Sequence, residues 1–299
     1  MIKKLFIICL FCLCVGSVSA RKADPHGAVA AGGYKFWLAV PDDLNEPKPL
    51  VIFLHGASLC GNDLNQVKRY GTIDALERGR NIDAYVVAPQ NPGGSWKPAK
   101  IKEIMDWAIK NQNVDPNRVY VLGMSLGGYG TIDFAATYPD EIAAAIAMCG
   151  GGTVKNISNL GKLPLWIVHG TGDNAVAVSQ SDRIVDIINN SEHRGTRLIY
   201  DRIPGMNHSQ PARMFYIPEV YEWLFLHDLS QDGRPLHETV RASNSFMQSA
   251  YSGLNFSGKS KTTSAKKSKK GKKSSSKVKA SKKKSSKTKI ATKRKKTRR

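Results

Sequence analysis

The sequence predicts an α/β fold in which helices cover both faces of a mostly parallel central sheet. Through the central portion of the chain, short apolar runs alternate with helical patterns, and this order is typical of parallel sheets. Several of these runs are apolar almost without a break, as expected for strands that are buried on both faces.

Seven strands and four helices are predicted in this portion. The strands span residues 34–40, 50–55, 84–88, 118–122, 142–148, 165–169 and 197–202. The helices span residues 100–111, 127–138, 179–190 and 218–229. Because only a short, Pro-containing turn separates the first two strands, we expect an antiparallel edge at the start of the sheet.

The first 20 residues have the pattern of a secretory signal peptide. Lys3 and Lys4 provide the positive start, residues 5–15 form a short apolar run, and small side chains precede a cleavage point near Ala20. The run is shorter than a membrane-spanning helix requires. We therefore expect a secreted or periplasmic mature chain, with an uncleaved membrane anchor as the alternative.

The last 43 residues account for the whole charge imbalance of the chain. The formal net charge is +21, and residues 257–299 contain 21 Lys or Arg and no Asp or Glu. They also lack aromatic residues, so we expect a disordered tail that recognises no specific nucleic-acid sequence. The expected partner is an anionic surface of lipid headgroups, lipopolysaccharide or wall polymer. A solvated tail without a partner is the alternative.

Between the two termini we predict one catalytic domain over residues 21–231 and a linker over residues 232–256. The linker is predicted because the hydrophobic pattern has no clear period after His227. The first 256 residues contain 24 basic and 24 acidic side chains, so this body of the chain is electrically neutral. The oligomeric state stays open.

Ser125 is the predicted nucleophile. It lies in the run GMSLGG (123–128), between a predicted strand and a predicted helix. A Gly-x-Ser-x-Gly pattern in this context places the serine on a sharp turn whose neighbours must be small. The N-terminus of the following helix would present N–H groups to a developing oxyanion.

A serine hydroxyl needs a general base, and here an acid and then a histidine should follow the nucleophile along the chain. His208 lies in a loop after the seventh predicted strand, where the base is expected. Asp173 lies at the end of the sixth strand and is the predicted acid that orients the imidazole. Asp182 is the alternative acid, and His193 and His227 are the alternative bases.

The backbone N–H groups of Ala57 and Leu126 are the predicted oxyanion hole. Ala57 follows the second predicted strand, and Leu126 directly follows the nucleophile. We interpret His55, at the end of the same strand, as a buried residue that braces the loop rather than as a catalytic group.

Two cysteines, Cys60 and Cys149, lie outside the predicted signal peptide. Two cysteines do not make a disulfide framework; unpaired thiols are the preferred interpretation, and a single bridge is the alternative. No group of His, Cys and Asp has the spacing of a metal site, so neither a metal nor an organic cofactor is predicted.

These motifs resemble the α/β-hydrolase superfamily. The nearest branch holds carboxylesterases, feruloyl and acetyl-xylan esterase-like enzymes, dienelactone hydrolases and predicted peptidases related to prolyl oligopeptidase. The matching motifs cover residues 33–228 and are FLHG (53–56), VAPQ (87–90) with Trp96, GMSLGG (123–128), CGGG (149–152) and His169-Gly170 before Asp173. The resemblance implies an α/β-hydrolase fold and the hydrolysis of esters or peptides without a cofactor.

Two departures from the branch affect the expected pocket. Ala177 stands where a Pro is frequent, and SLC (58–60) stands where relatives often have charged or Gly residues. The resemblance to this branch therefore says little about the substrate specificity of this chain. Trp96 is a candidate for lining the acyl or sugar site, with ordinary packing as an equal alternative.

The leading hypothesis is an exported serine esterase that acts on small or carbohydrate-linked acyl esters. A serine peptidase related to prolyl oligopeptidase is the alternative, because both reactions pass through an acyl-enzyme. A binding module on an inactive scaffold is the third class, and the intact set of Ser125, Asp173 and His208 argues against it.

Overall fold

An eight-stranded sheet forms the centre of the computed structural model, which describes residues 21–256. The strands are β1 (Ala23–His26), β2 (Phe36–Ala39), β3 (Lys48–Leu54), β4 (Tyr85–Pro89), β5 (Val114–Met124), β6 (Ala144–Met148), β7 (Leu165–Gly170) and β8 (Leu198–Ile203). Their order across the sheet is β1-β2-β4-β3-β5-β6-β7-β8. β2 pairs antiparallel with both β1 and β4, and every pairing from β4 to β8 is parallel. The predicted mostly parallel sheet is therefore confirmed.

Helices cover both faces of this sheet. The α-helices of the described residues are α1 (Thr72–Glu77), α2 (Pro98–Asn111), α3 (Leu126–Thr137), α4 (Ser179–Asn189) and α5 (Pro218–Phe225). Side chains of β3 alternate between the two faces, as strand geometry requires. Val51 and Phe53 join the core that contains α1 and α5, whereas Ile52 and its alternate neighbours join the core that contains α2, α3 and α4.

Two short elements, β1 and α1, were not predicted from the sequence. β1 is the tetrapeptide ADPH, in which Ala23 is buried and the other residues are more exposed. Its strand conformation follows from antiparallel pairing with β2, which is a tertiary contact without a local hydrophobic pattern.

The predicted linker over residues 232–256 is corrected by the structure, because this segment packs against the domain. Ala242, Met247 and Ala250 are buried in the same core as α5. The segment contains one 3₁₀ turn, Phe246–Ser249, and otherwise runs without regular structure. Irregular chain can bury single anchor residues without any repeat in the sequence, which is why no period was visible. We call residues 232–256 the C-terminal strap.

The predicted signal peptide (1–20) and the predicted basic tail (257–299) lie outside the described residues. Within residues 21–256, no helix has the length and apolar character needed to cross a membrane. Cys60 and Cys149 are both free thiols, as the preferred interpretation of the sequence expected.

Candidate active site

Ser125 lies on a sharp turn between the end of β5 and the start of α3. Its backbone has φ 58° and ψ −121°, a left-handed conformation that is strained for a residue with a Cβ atom. Gly127 allows the turn, because a Cβ at this position would collide with the backbone carbonyl of Leu54. A Cβ on Gly123 would in turn collide with the carbonyl of Gly127. The local sequence is therefore what permits the strained turn that presents Ser125.

The structure brings the three predicted catalytic side chains together. His208 Nε2 lies 2.9 Å from Ser125 Oγ, and His208 Nδ1 lies 2.7 Å from Asp173 Oδ2. Both distances are within hydrogen-bond range. The three side chains form a continuous series of hydrogen bonds from the hydroxyl to the carboxylate. They lie in three separate loops, after β5, β7 and β8.

Asp173 is buried and ionised in this arrangement. Burial alone would raise the pKa of its carboxyl group, but hydrogen bonds from the backbone N–H of Val176, from His208 and from the backbone N–H of Ala175 lower it below the ordinary value. The two amides donate to Oδ1 at 2.9 Å and 2.8 Å respectively. A fixed, negatively charged carboxylate can hold the imidazole in one tautomer with Nε2 free to accept a proton.

The alternative acid and bases from the sequence lie elsewhere. Asp182 accepts hydrogen bonds from Tyr200 and Arg202 rather than from His208. His227 is buried against α5, with Nδ1 2.9 Å from the carbonyl of Trp223. His193 packs beside Gly161. None of these three residues takes part in the hydrogen bonds that link Ser125, His208 and Asp173.

Two helix N-termini flank Ser125 at the predicted oxyanion hole. Ala57 is the first residue of a 3₁₀ helix, Ala57–Leu59, and Leu126 is the first residue of α3. The first N–H groups of a helix lack an intrahelical acceptor, so neither N–H is used within its own helix. Gly56 packs closely in this loop, since a Cβ on it would lie 2.9 Å from the hydroxyl of Tyr70.

His55 braces this loop, as interpreted from the sequence. It is fully buried, its Nδ1 lies 2.8 Å from the carbonyl of Gly56, and its Nε2 accepts the backbone N–H of Asn91 at 3.0 Å. Burial lowers the pKa of His55 to about 4. A neutral ring with both nitrogens engaged inside the protein is a structural group.

The suggested substrate contact of Trp96 is corrected in favour of packing. Trp96 is 2% exposed. Its indole N–H donates to the carbonyl of His55 at 3.2 Å, and its ring packs directly over Gly130 of α3. The side chain therefore joins the loop after β3 to α3 and does not line an open surface.

Two residues near the site received no role from the sequence. Tyr70 accepts the backbone N–H of Gly56 through its hydroxyl at 3.0 Å, and no sequence signal pointed to it. His169 Nε2 lies 3.3 Å from Asp173 Oδ2. Its position four residues before Asp173, in the same turn, is the sequence signal that points to it.

Cys149 lies beside the catalytic chain but does not complete a metal site. Its Sγ, together with one ligand atom each of Asp173 and His208, falls in a group spanning at most 4.8 Å. The His208 and Asp173 atoms already bond each other, and burial raises the pKa of the Cys149 thiol. A protonated thiol and an occupied carboxylate do not fit a resident metal ion.

Comparisons with known proteins show which family and fold the chain resembles. Residues 87–209, which include Ser125, Asp173 and His208, match the family model described as Dienelactone hydrolase family. A solved thermostable esterase is 26% identical, with a TM-score of 0.59, over 70% of this chain and 63% of that one. The chain belongs to the α/β-hydrolase superfamily.

Curated relatives of this α/β-hydrolase include proteins named as esterases. It is 30% identical over 138 residues to poly(3-hydroxyalkanoate) depolymerase C of Paucimonas lemoignei, covering 40% of this chain and 32% of that one. It is 30% identical over 126 residues to acetylxylan esterase A of Emericella nidulans (strain FGSC A4), and the match covers 38% of this chain and 41% of that one. The α/β-hydrolase therefore spans well under half the length of these two relatives.

The fold is also shared with a more distant solved structure. The feruloyl esterase module from Clostridium thermocellum is 12% identical, with a TM-score of 0.55, over 75% of this chain and 92% of that chain.

Proposed function

We propose that this α/β-hydrolase cleaves carboxylic esters through an acyl-enzyme formed on Ser125. The observation that supports this most directly is the hydrogen-bond chain from Ser125 Oγ through His208 to Asp173. Such a chain activates a hydroxyl nucleophile at neutral pH, where an unassisted serine is unreactive.

In the proposed reaction, His208 Nε2 takes the proton of Ser125 as Oγ attacks the carbonyl carbon of the ester. The N–H groups of Ala57 and Leu126 stabilise the oxyanion that forms. The tetrahedral intermediate then loses the alcohol, which receives the proton held by His208. Water, activated by the same imidazole, hydrolyses the acyl-enzyme and regenerates Ser125.

The names of the relatives favour esters over peptides as substrates. They include acetylxylan esterases and a poly(3-hydroxyalkanoate) depolymerase, so we propose small acyl groups on carbohydrate or hydroxyacid alcohols as the substrate class. A serine peptidase would use the same catalytic chain, and a substrate panel separates the two.

The test is a comparison of wild type with Ser125→Ala on p-nitrophenyl acetate, p-nitrophenyl butyrate, acetylated xylan and chromogenic dipeptides. We expect ester turnover in the wild type, and a fall in kcat of about 10⁴- to 10⁶-fold in the variant. A fluorophosphonate probe should label the wild type only, and EDTA should not change the activity. Ser230→Ala, at an exposed serine, is the matched control. Near-normal ester turnover in Ser125→Ala would refute the proposal.

We also propose that the chain is exported and that residues 257–299 attach the neutral catalytic domain to an anionic surface. The support is the charge pattern of the sequence, with 21 basic and no acidic residues in this segment. Exposed charges bind polyanions without sequence specificity and are screened by salt. A chain ending at residue 256 should keep its kcat on a soluble ester and lose retention on vesicles of anionic lipid. Retention of the shortened chain would contradict this attachment.

A further inference from the structure

The carboxylate of Asp173 has more neighbours than the catalytic base requires. Its Oδ1 accepts two backbone amides, and its Oδ2 faces two histidines, His208 at 2.7 Å and His169 at 3.3 Å. The first histidine is the proposed base. The second is fully buried and has no part in the reaction described above.

The surroundings of His169 determine where its proton lies. Nε2 lies 3.0 Å from the carbonyl oxygen of Val176 and also faces Asp173 Oδ2, and both of these oxygens can only accept. Nδ1 lies 2.7 Å from the hydroxyl of Ser181, whose single proton can go to Nδ1 or to the carbonyl oxygen of Gly150 at 3.1 Å, so the two acceptors at Nε2 decide the tautomer. Burial lowers the pKa of His169, so the ring is neutral with its single proton on Nε2.

We infer that His169 is a positioning residue that donates a hydrogen bond to Asp173 and so fixes the carboxylate that orients His208. This inference rests on the proposed catalytic chain. His169 Nε2–H is shared between Val176 and Asp173, and Ser181 holds the opposite side of the ring. Asp173 Oδ2 then has a second hydrogen-bond donor besides His208.

The expected consequence is a change in how strongly Asp173 attracts the imidazolium form of His208. A carboxylate that loses a donor keeps more negative charge on Oδ2 and stabilises a neighbouring cation more strongly. The acid limb of the pH profile should then move to higher pH. A less restrained carboxylate should also lower kcat, because it holds the imidazole less well.

Several other titratable groups surround the two histidines and stay the same in the test. Cys149 lies near Asp173, and Asp182 lies near His169 and forms an ion pair with Arg202. Neither is substituted, so a change in the acid limb reports the His169 contact.

Two amide substitutions separate this role from simple packing. In His169→Gln the side-chain N–H₂ occupies the place of Nε2, so the donor to Asp173 and Val176 is retained. In His169→Asn the amide reaches only the place of Nδ1, so the contact with Ser181 is retained and the donor to Asp173 is lost. The Gln variant therefore keeps the hydrogen bonds of Nε2, and the Asn variant keeps the hydrogen bond of Nδ1.

We expect His169→Asn to lower kcat about tenfold on p-nitrophenyl acetate with little change in KM, and to move the acid limb up by about 0.5 pH unit. His169→Gln should stay within about threefold of the wild type with an unmoved acid limb. Equal profiles for the two variants, or a rescue by Asn rather than by Gln, would overturn the inference.

A measurement on the wild-type protein tests the inference even where a variant does not fold. NMR of the protein labelled with ¹⁵N-histidine should show His169 as the neutral Nε2–H tautomer at neutral pH. An Nδ1–H tautomer would leave Asp173 without this donor and overturn the inference. Failure of the proposed function looks different, because it requires turnover to survive in Ser125→Ala.

Discussion

The hydroxyl of Tyr70 accepts a hydrogen bond from the backbone N–H of Gly56 at 3.0 Å, and this contact fixes the loop that follows β3. Gly56 directly precedes Ala57, one of the two proposed oxyanion donors. Tyr70 is partly buried, and burial raises the pKa of its hydroxyl, so the group stays protonated at neutral pH. The position of Ala57 therefore depends on a side chain 13 residues further along the chain.

Tyr70→Phe should lower kcat about tenfold and leave KM nearly unchanged. A displaced Ala57 N–H reduces stabilisation of the oxyanion in the transition state more than it reduces substrate binding. Steady-state kinetics on p-nitrophenyl acetate measures both constants. Tyr138→Phe is the control, since Tyr138 lies at the far end of α3 against Phe134. A large rise in KM at constant kcat would instead assign Tyr70 to substrate binding.

Asp173→Asn should reduce kcat by up to about 10⁴-fold, because an amide can hold His208 in the wrong tautomer. Asp182→Asn is the matched control, since this second acid bonds Tyr200 and Arg202. We expect the control to keep most of its turnover. Comparable losses in both variants would show that neither acid has the specific orienting role.

The sequence could predict that Ser125, Asp173 and His208 lie together because their signals are local. Gly123, Ser125 and Gly127 are tied together by one strained turn, and Asp173 and His208 lie in loops after parallel strands that end at the same edge of the sheet. Ser125 follows β5 and Asp173 follows β7, and both strands contain a continuous apolar run.

The features that the sequence did not predict depend on contacts between distant segments. Tyr70 bonds the backbone N–H of Gly56, 14 residues earlier in the sequence. The indole of Trp96 packs against Gly130 and donates to the carbonyl of His55. The C-terminal strap is held by single anchors such as Met247. Such pairings leave no periodic trace in the chain.

Folding stability should decrease as the pH falls below about 6.5, in part because His227 is buried as a neutral ring. Burial is the largest cause that lowers its pKa, to about 4, with the nearby His237 adding to the effect. The unfolded chain binds a proton near pH 6.5 and the folded chain near pH 4, so protonation favours unfolding between these values. This group alone should cost about 2 kcal/mol by pH 4.5.

Urea unfolding at pH 7.0, 5.5 and 4.5 measures this effect. In His227→Gln the side-chain oxygen can accept the backbone N–H of His237, which now donates to Nε2 at 3.3 Å, but the side chain cannot titrate. The free energy of unfolding of the variant should fall less between pH 7.0 and 4.5 than that of the wild type. Identical pH slopes would rule out His227 as a source of acid sensitivity.

The C-terminal strap should be required for a stable domain, because it satisfies a buried charge on the sheet. Asp201 of β8 is 7% exposed. It accepts the indole N–H of Trp166 at 2.9 Å, the guanidinium of Arg241 at 2.7 Å and the backbone N–H of Ala242 at 2.6 Å. Removal of the strap takes away two of these three donors and exposes the apolar surface that Met247 covers.

A chain ending at residue 231 should therefore lose several kcal/mol of stability or fail to fold, since the buried carboxylate of Asp201 loses two hydrogen bonds, worth about 1 to 3 kcal/mol each, together with the apolar anchors of the strap. A chain ending at residue 256 should unfold at the temperature of the full chain, because it keeps every contact of the strap. Thermal unfolding followed by circular dichroism compares the two. Arg241→Gln in the chain ending at residue 256 removes the ion pair with Asp201 and keeps the strap. It should lower the melting temperature less than removal of the strap does. Equal melting temperatures for chains ending at 231 and 256 would restore residues 232–256 to a linker that the domain does not need.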